Sequence, residues 1–122
     1  MDGRTLQKTA GDYAEKLPGS RLVYPFGPEW EVFKVCDKVF MLMTHVLGEP
    51  MVIVKSHPDE AVALCHEHVT ITPGYHMNKK HWITITSGST IDEHLIMELV
   101  TDSYRLVLEG LPKSRQPVTL SR

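Results

Sequence analysis

The sequence predicts an α+β fold: a mainly antiparallel sheet with helices packed on one face. Three observations carry this. Apolar residues recur every three or four positions in three separate stretches, the mark of helices that bury one side. Between the first two stretches lies a run of β-branched and aromatic segments joined by turns too short for a crossover, so neighbouring strands must run antiparallel. The order along the chain is helix, strand run, helix, strand, helix.

The first helix is expected from Arg4 to Lys16, with Leu6, Ala10, Tyr13, Ala14 and Leu17 on its inner side. Pro18 disfavours helical backbone at Leu17, and Gly19 supplies a turn. The segment RLVYPFGPE, with two prolines and a glycine, reads as a loop. Trp30 to Cys36 and Val39 to Met43 read as a hairpin turning at Asp37 and Lys38. A third strand, Met51 to Lys55, is entered through a turn that holds Gly48 and Pro50. Ser56 or His57 caps a second helix, Pro58 to Glu67, whose buried side is Ala61, Leu64, Cys65 and His68. Trp82 to Thr86 is the fourth strand. Thr90 and Glu93 stand in capping-box spacing before a long third helix, closed by Gly110 and Pro112. Its inner stripe is Leu95, Ile96, Leu99, Val100, Ser103, Val107, Leu108 and Leu111. One domain over residues 1–112 and a polar tail over 113–122 complete the division.

Composition narrows the function. Hydrophobic residues at 42% and charged residues at 23% match a globular chain and exclude a disordered or fibrous one. No run of about 18 apolar residues is present, and MDGRTLQKTAG lacks the apolar core of a signal peptide, so a cytoplasmic protein without a membrane segment is expected. Two cysteines, Cys36 and Cys65, in apolar surroundings fit buried thiols in a reducing compartment. A net charge of −2 weighs against strong non-specific binding to nucleic acid and leaves room for a local basic patch.

Chemistry concentrates in one decapeptide, Pro73 to Trp82, PGYHMNKKHW. The spacings His76–His81 and His66–His68 match no zinc signature, and no HExxH, CxxC, GxSxG or glycine-rich phosphate loop occurs. Neither a metal nor another cofactor is therefore expected. His81 is the one definite candidate for a general base, and no complete catalytic constellation accompanies it, so a non-enzymatic role is expected. Lys79 and Lys80 offer cationic donors to phosphate, and Asn78 offers donors and an acceptor. The rings of Tyr75, His76 and Trp82 can stack on bases. Three readings stay open: contact with DNA, a pocket for a small anion or a protein partner, and a structural role in which Asn78 and His81 hold a strand entry in place.

The decapeptide, together with VFKVCDKVFMLM, VIVKSHPDEAVAL and DSYRLVLEGLP, resembles the MmcQ/YjbR family of small bacterial proteins from the first helix to Pro112. His76, Asn78, Lys79, His81 and Trp82 match its H-x-N-K-x-H-W motif, and Ser103 and Tyr104 match its later SY pair. The resemblance implies a CyaY-like, double-wing fold associated with DNA binding. The iron binding of frataxins is not implied, because the first helix carries only Asp12 and Glu15. The resulting expectation is DNA contact through His76, Asn78, Lys79, Lys80, His81 and Trp82, joined by Lys34, Lys38 and Arg21.

Overall fold

A computed structural model describes residues 1–112; the expected tail lies outside the described residues. Helices α1 (Gly3–Glu15), α2 (Pro58–Glu67) and α3 (Glu93–Glu109) accompany six strands: β1 (Ser20–Val23), β2 (Glu31–Val35), β3 (Lys38–Val46), β4 (Glu49–Lys55), β5 (Ile71–Pro73) and β6 (Trp82–Ile85). They form one sheet in the order β1-β2-β3-β4-β6-β5, and every pairing in it is antiparallel. The α+β arrangement expected from the sequence is the one observed.

Two strands escaped the sequence reading, and both are edges. β1 ends at Val23, before Pro25, so the prolines that argued for a loop follow the strand instead of interrupting it. β5 is only three residues long, too short to show a period, and its Pro73 is tolerated at the sheet margin. The hairpin turns also shift. β2 and β3 turn at Cys36 and Asp37, with φ of 50° and 64°, not at Asp37 and Lys38. β3 and β4 turn at Leu47 and Gly48, with φ of 52° and 80°, which extends β3 to Val46 and starts β4 at Glu49. Both are two-residue turns of positive φ, whose twist matches the strands they join. At the head of α3 the cap is Asp92, whose Oδ1 accepts from the Leu95 N–H at 2.8 Å; Thr90 instead pairs with His68 Nδ1 at 2.8 Å.

The alternation of the strands divides the interior in two. On the helix side, Phe33, Val35, Met41, Met43, Val52, Val54, Ile83 and Ile85 pack with Leu6, Ala10 and Ala14 of α1, Ala61 of α2 and the stripe of α3. On the other side Val32, Leu42, Met51 and Ile53 form a smaller cluster that no helix covers.

Where β3 passes β2 the register slips: Phe33 pairs with Met41 but Lys34 with Val39, so Phe40 is an extra, bulged residue. The bulge turns Phe40 toward the helices beside Met41. The hydroxyl of Ser103 on α3 fills the gap. It donates to the Phe40 carbonyl at 2.6 Å and accepts from the Lys55 N–H at 2.8 Å, just beyond the last β3–β4 pair, Met41 with Val54. The next residue, Tyr104, meets the Phe40 ring edge-on at 5.4 Å and donates its hydroxyl hydrogen bond to the Pro18 carbonyl. Both side chains are fully buried. The sequence stripe of α3 included Ser103 and omitted Tyr104, which faces the same core.

Replacing Ser103 by alanine removes the bridge and leaves a buried carbonyl and a buried N–H without their partner. S103A is expected to lose about 1–3 kcal/mol of stability in urea unfolding followed by circular dichroism. An unfolding midpoint equal to that of the parent would show that water takes over both groups without cost.

Candidate functional site

The decapeptide connects β5 to β6 and wraps one end of the sheet. Its base is closed by the Gly74 N–H, which donates to the Trp82 carbonyl at 2.8 Å. Gly74 is buried so tightly that a Cβ there would stand 2.6 Å from that of Trp82. Beneath it, the buried Thr84 hydroxyl accepts from the Tyr75 N–H at 2.8 Å and donates to the Pro73 carbonyl at 3.3 Å. Further on, Asn78 Oδ1 accepts from the Lys80 N–H at 2.9 Å and the Asn78 carbonyl accepts from the His81 N–H, which makes a local turn. The His81 carbonyl then receives the Ser56 N–H at 2.8 Å, tying the loop to the end of β4.

So anchored, the loop covers the cluster left open by the helices. Tyr75, Met77 and Trp82 pack on it, and the Tyr75 ring lies nearly parallel to Trp30, 7° between planes with centroids 6.5 Å apart. His76 takes a left-handed backbone, φ 60°, and its ring rests 4.1 Å from that of Tyr75. The aromatic part of the motif is thus largely scaffold, while His76, Asn78, Lys79, Lys80 and His81 are exposed. Lys79 donates to the Gly74 carbonyl at 3.2 Å and keeps further donors available, since an ammonium has three. Asn78 has the turn-capping role of the structural reading, and Trp82 is half-buried.

The structure does not gather all nine expected residues in one place. Arg21 pairs with Lys34 across β1 and β2, and Lys38 stands at the mouth of the β2–β3 turn; three strand spacings, about 14 Å, separate β2 from β6. Arg21 also lies 4.0 Å from Asp37 in an exposed ion pair. Alternation nevertheless turns Arg21 and Lys34 to the helix-free face, with Val23 and Val32. Lys55, directly across from Trp82, takes this side by register, and it also lines the depression between α2 and α3. The sequence reading missed Lys55, although its place follows from the alternation of VIVK once Ile53 is known to face away from the helices. Acidic side chains are more numerous on the helices: Asp12, Glu15, Asp59, Glu60, Glu67, Glu93, Glu98, Asp102 and Glu109, nine of fifteen, sit there beside Arg4, Lys8 and Arg105, while Glu49 alternates onto the helix-free face with Met51.

Two depressions flank α2. One, about 480 Å³, lies between α2 and the decapeptide, with Ala61 and Ile83 at its floor and Lys79 and Lys80 among its walls. The other, about 200 Å³, runs between α2 and α3 past Glu60, Glu98 and Asp102. Burial pushes the Asp102 carboxyl above its ordinary range, with Glu60 and Glu98 adding to the shift and Arg105 opposing it. No group of three or more His, Cys, Asp and Glu able to hold a metal occurs among the described residues, and none of the described helices is long and apolar enough to cross a membrane.

A six-stranded antiparallel sheet with three helices on one side, and a loop that covers part of the other, defines a small α+β protein. The YjbR family model matches residues 15–106, and the chain belongs to that family. It is 44% identical to the uncharacterised YbdF of Escherichia coli O157:H7 over 95% of both chains. It is 30% identical to YjbR of Escherichia coli K12, over 72% of this chain and 76% of that one. Among solved structures, Deinococcus radiodurans DR2400, described with a DUF419 domain, superposes with a TM-score of 0.78 at 34% identity, covering 85% of this chain and 80% of its own. A Pseudomonas syringae protein superposes at 0.69 with 28% identity, covering 82% and 96%.

Two outcomes follow. G74A forces Trp82 and the loop base apart and is expected to cost about 1–3 kcal/mol in thermal unfolding, with a shift in tryptophan emission; an unchanged spectrum and midpoint would show that the loop is not held as described. Asp102 binds a proton more readily folded than unfolded, so its ionisation opposes folding, and this penalty grows as pH rises through the unfolded and then the folded pKa. D102N is therefore expected to raise the melting temperature at pH 7–8 and to lose that advantage near pH 3, below the ordinary carboxylate range. A pH-independent difference would assign the effect to packing instead.

Proposed function

We propose that the helix-free face of the sheet, edged by the Lys79–His81 turn, binds the phosphate backbone of DNA, without catalysing a reaction on it. The observation that carries this reading is the segregation of charge. By register Arg21, Lys34 and Lys55 outnumber Glu49 on one face of a sheet whose helices, on the other face, hold nine of the fifteen acids. Lys79 and Lys80 are exposed at the sheet margin, where they also wall the depression beside α2 on the helix side. Cations so placed release condensed counterions from phosphates, the main source of affinity for duplexes. The double-wing fold that the sequence resemblance implies is associated with DNA, which supports the same partner.

The face presents few groups able to read bases, so the reading entails contact with phosphates more than sequence recognition. Fluorescence anisotropy with a short labelled DNA duplex across a salt series tests it. Affinity is expected to fall linearly on a log–log plot, and K34A, K55A and K80A are each expected to lower the slope by about one. R105A, exposed on α3, is expected to change nothing. If micromolar folded protein at low salt leaves the duplex unshifted, or if R105A weakens binding as much as the other three, the proposal fails.

A further inference from the structure

The depression between α2 and the decapeptide has the features of a ligand site. At about 480 Å³ it falls within the range of small-molecule pockets. Its body is apolar: Ala61 and Ile83 belong to the core, and Val62, Cys65 and Pro73 form the sides. Burial pushes the Cys65 thiol up, which keeps it protonated and leaves that wall uncharged. Val62, 60% exposed on α2, is an apolar side chain that helix amphipathicity alone would not place there.

The polar groups are confined to a few positions and differ in sign. Lys79 and Lys80 stand on the loop side; Asp59 and His66 stand on α2. Two ammonium groups against one carboxylate leave a single excess positive charge before His66 is counted. Lys79 is steadied by its bond to the Gly74 carbonyl, so its ammonium is positioned before any ligand arrives. Asp59 would repel a second negative charge brought close to α2.

We infer that this cavity binds an amphipathic monoanion: a carboxylate or sulfonate on an aromatic or aliphatic body, with the head at Lys79 and Lys80 and the body over Ala61, Val62 and Ile83. The site lies on the helix side of the sheet and does not rest on the DNA reading, with which it shares only the two lysines. It gives the small-anion reading of the motif a location and a chemical class.

The test uses 8-anilinonaphthalene-1-sulfonate, an aryl monoanion that fluoresces in apolar surroundings, and N-phenyl-1-naphthylamine, which has the same rings without the sulfonate. The sulfonate is expected to bind saturably, one per chain, and to slow alkylation of Cys65 by iodoacetamide in the unmodified protein, with Cys36 unaffected in peptide mass spectra. V62W, which fills the cavity from an exposed position, is expected to abolish both effects. The double variant K79A/K80A is expected to bind the sulfonate about tenfold more weakly and the uncharged amine as before. K34A/K55A is expected to retain full sulfonate binding, so a failed DNA assay leaves this result standing. The inference is overturned if Cys65 is unprotected, if V62W still binds, or if the lysine pair matters equally for both probes.

Discussion

The sheet depends on one hydroxyl. A bulge at Phe40 ends the regular β3–β4 ladder one residue early, because the extra residue in β3 puts the Phe40 carbonyl out of step with the Lys55 N–H. Ser103 stands between them and serves both. No apolar side chain could do so, and one much larger would not fit a position with no exposed surface. The bulge in turn lets Phe40 and Met41, neighbours in sequence, both face the helices, where Phe40 meets the Tyr104 ring. Ser103 closes the strands, and Tyr104, through the Pro18 carbonyl, fixes the link from α1 to β1. Two consecutive residues thereby set the position of α3 against everything else, and α1 follows through the hydrogen bond from Thr101 to the Tyr13 hydroxyl.

A sheet with helices on one face leaves the other to be covered or exposed. Here the cover is a loop, and that explains the composition of the decapeptide better than any single function does. Tyr75, Met77 and Trp82 meet the demand for apolar cover, together with Trp30. Gly74 lets two backbones approach where no side chain fits. Asn78 satisfies the backbone of a turn that has no ladder to pair with. What remains after those tasks is His76, Lys79, Lys80 and His81, exposed and polar. These are the residues that the scaffold does not use, and the proposed recognition would rest on them.

This division marks what could be read in the chain beforehand. The three helices and the central strands were legible, since each buries enough apolar residues in a row to show its period, and the α+β class followed from them. β1 and β5 were not, because short edge strands pair along one side only and keep little of the pattern. Turn positions slipped because residues such as Cys36 and Leu47 take positive φ without the glycine that usually announces it. At the site, the loop was legible as a concentration of unusual residues, but its partition into aromatic cover and exposed cations was not: that depends on which sheet face the helices leave open. Arg21 and Lys34 were chosen for their charge, and their distance from the loop is set by strand order, which periodicity does not encode. Lys55 was missed for the converse reason, being an ordinary strand residue until register puts it opposite Trp82.

The net charge of −2 weighs against the proposed phosphate-binding face, and the placement of the charges offsets it. At physiological salt the potential of an exposed charge falls off over about 8 Å. A helix with its side chains is about 10 Å across, and nine of the fifteen acids are carried by helices that lie beyond the sheet from the open face, while Glu49 is on the open face by register and Asp37 pairs with Arg21. The field of the helical acids at a partner on that face is screened by solvent at the sheet margins and by distance across the core. Arg21, Lys34 and Lys55 have no helix between them and the same partner. The sum of charges over the sequence therefore differs from the balance at each surface: cations outnumber acids on the open face, and acids outnumber cations on the helices. A chain near neutrality can thus offer a phosphate backbone one attractive side and turn a repulsive one away, which fixes the orientation of the encounter as well as its strength.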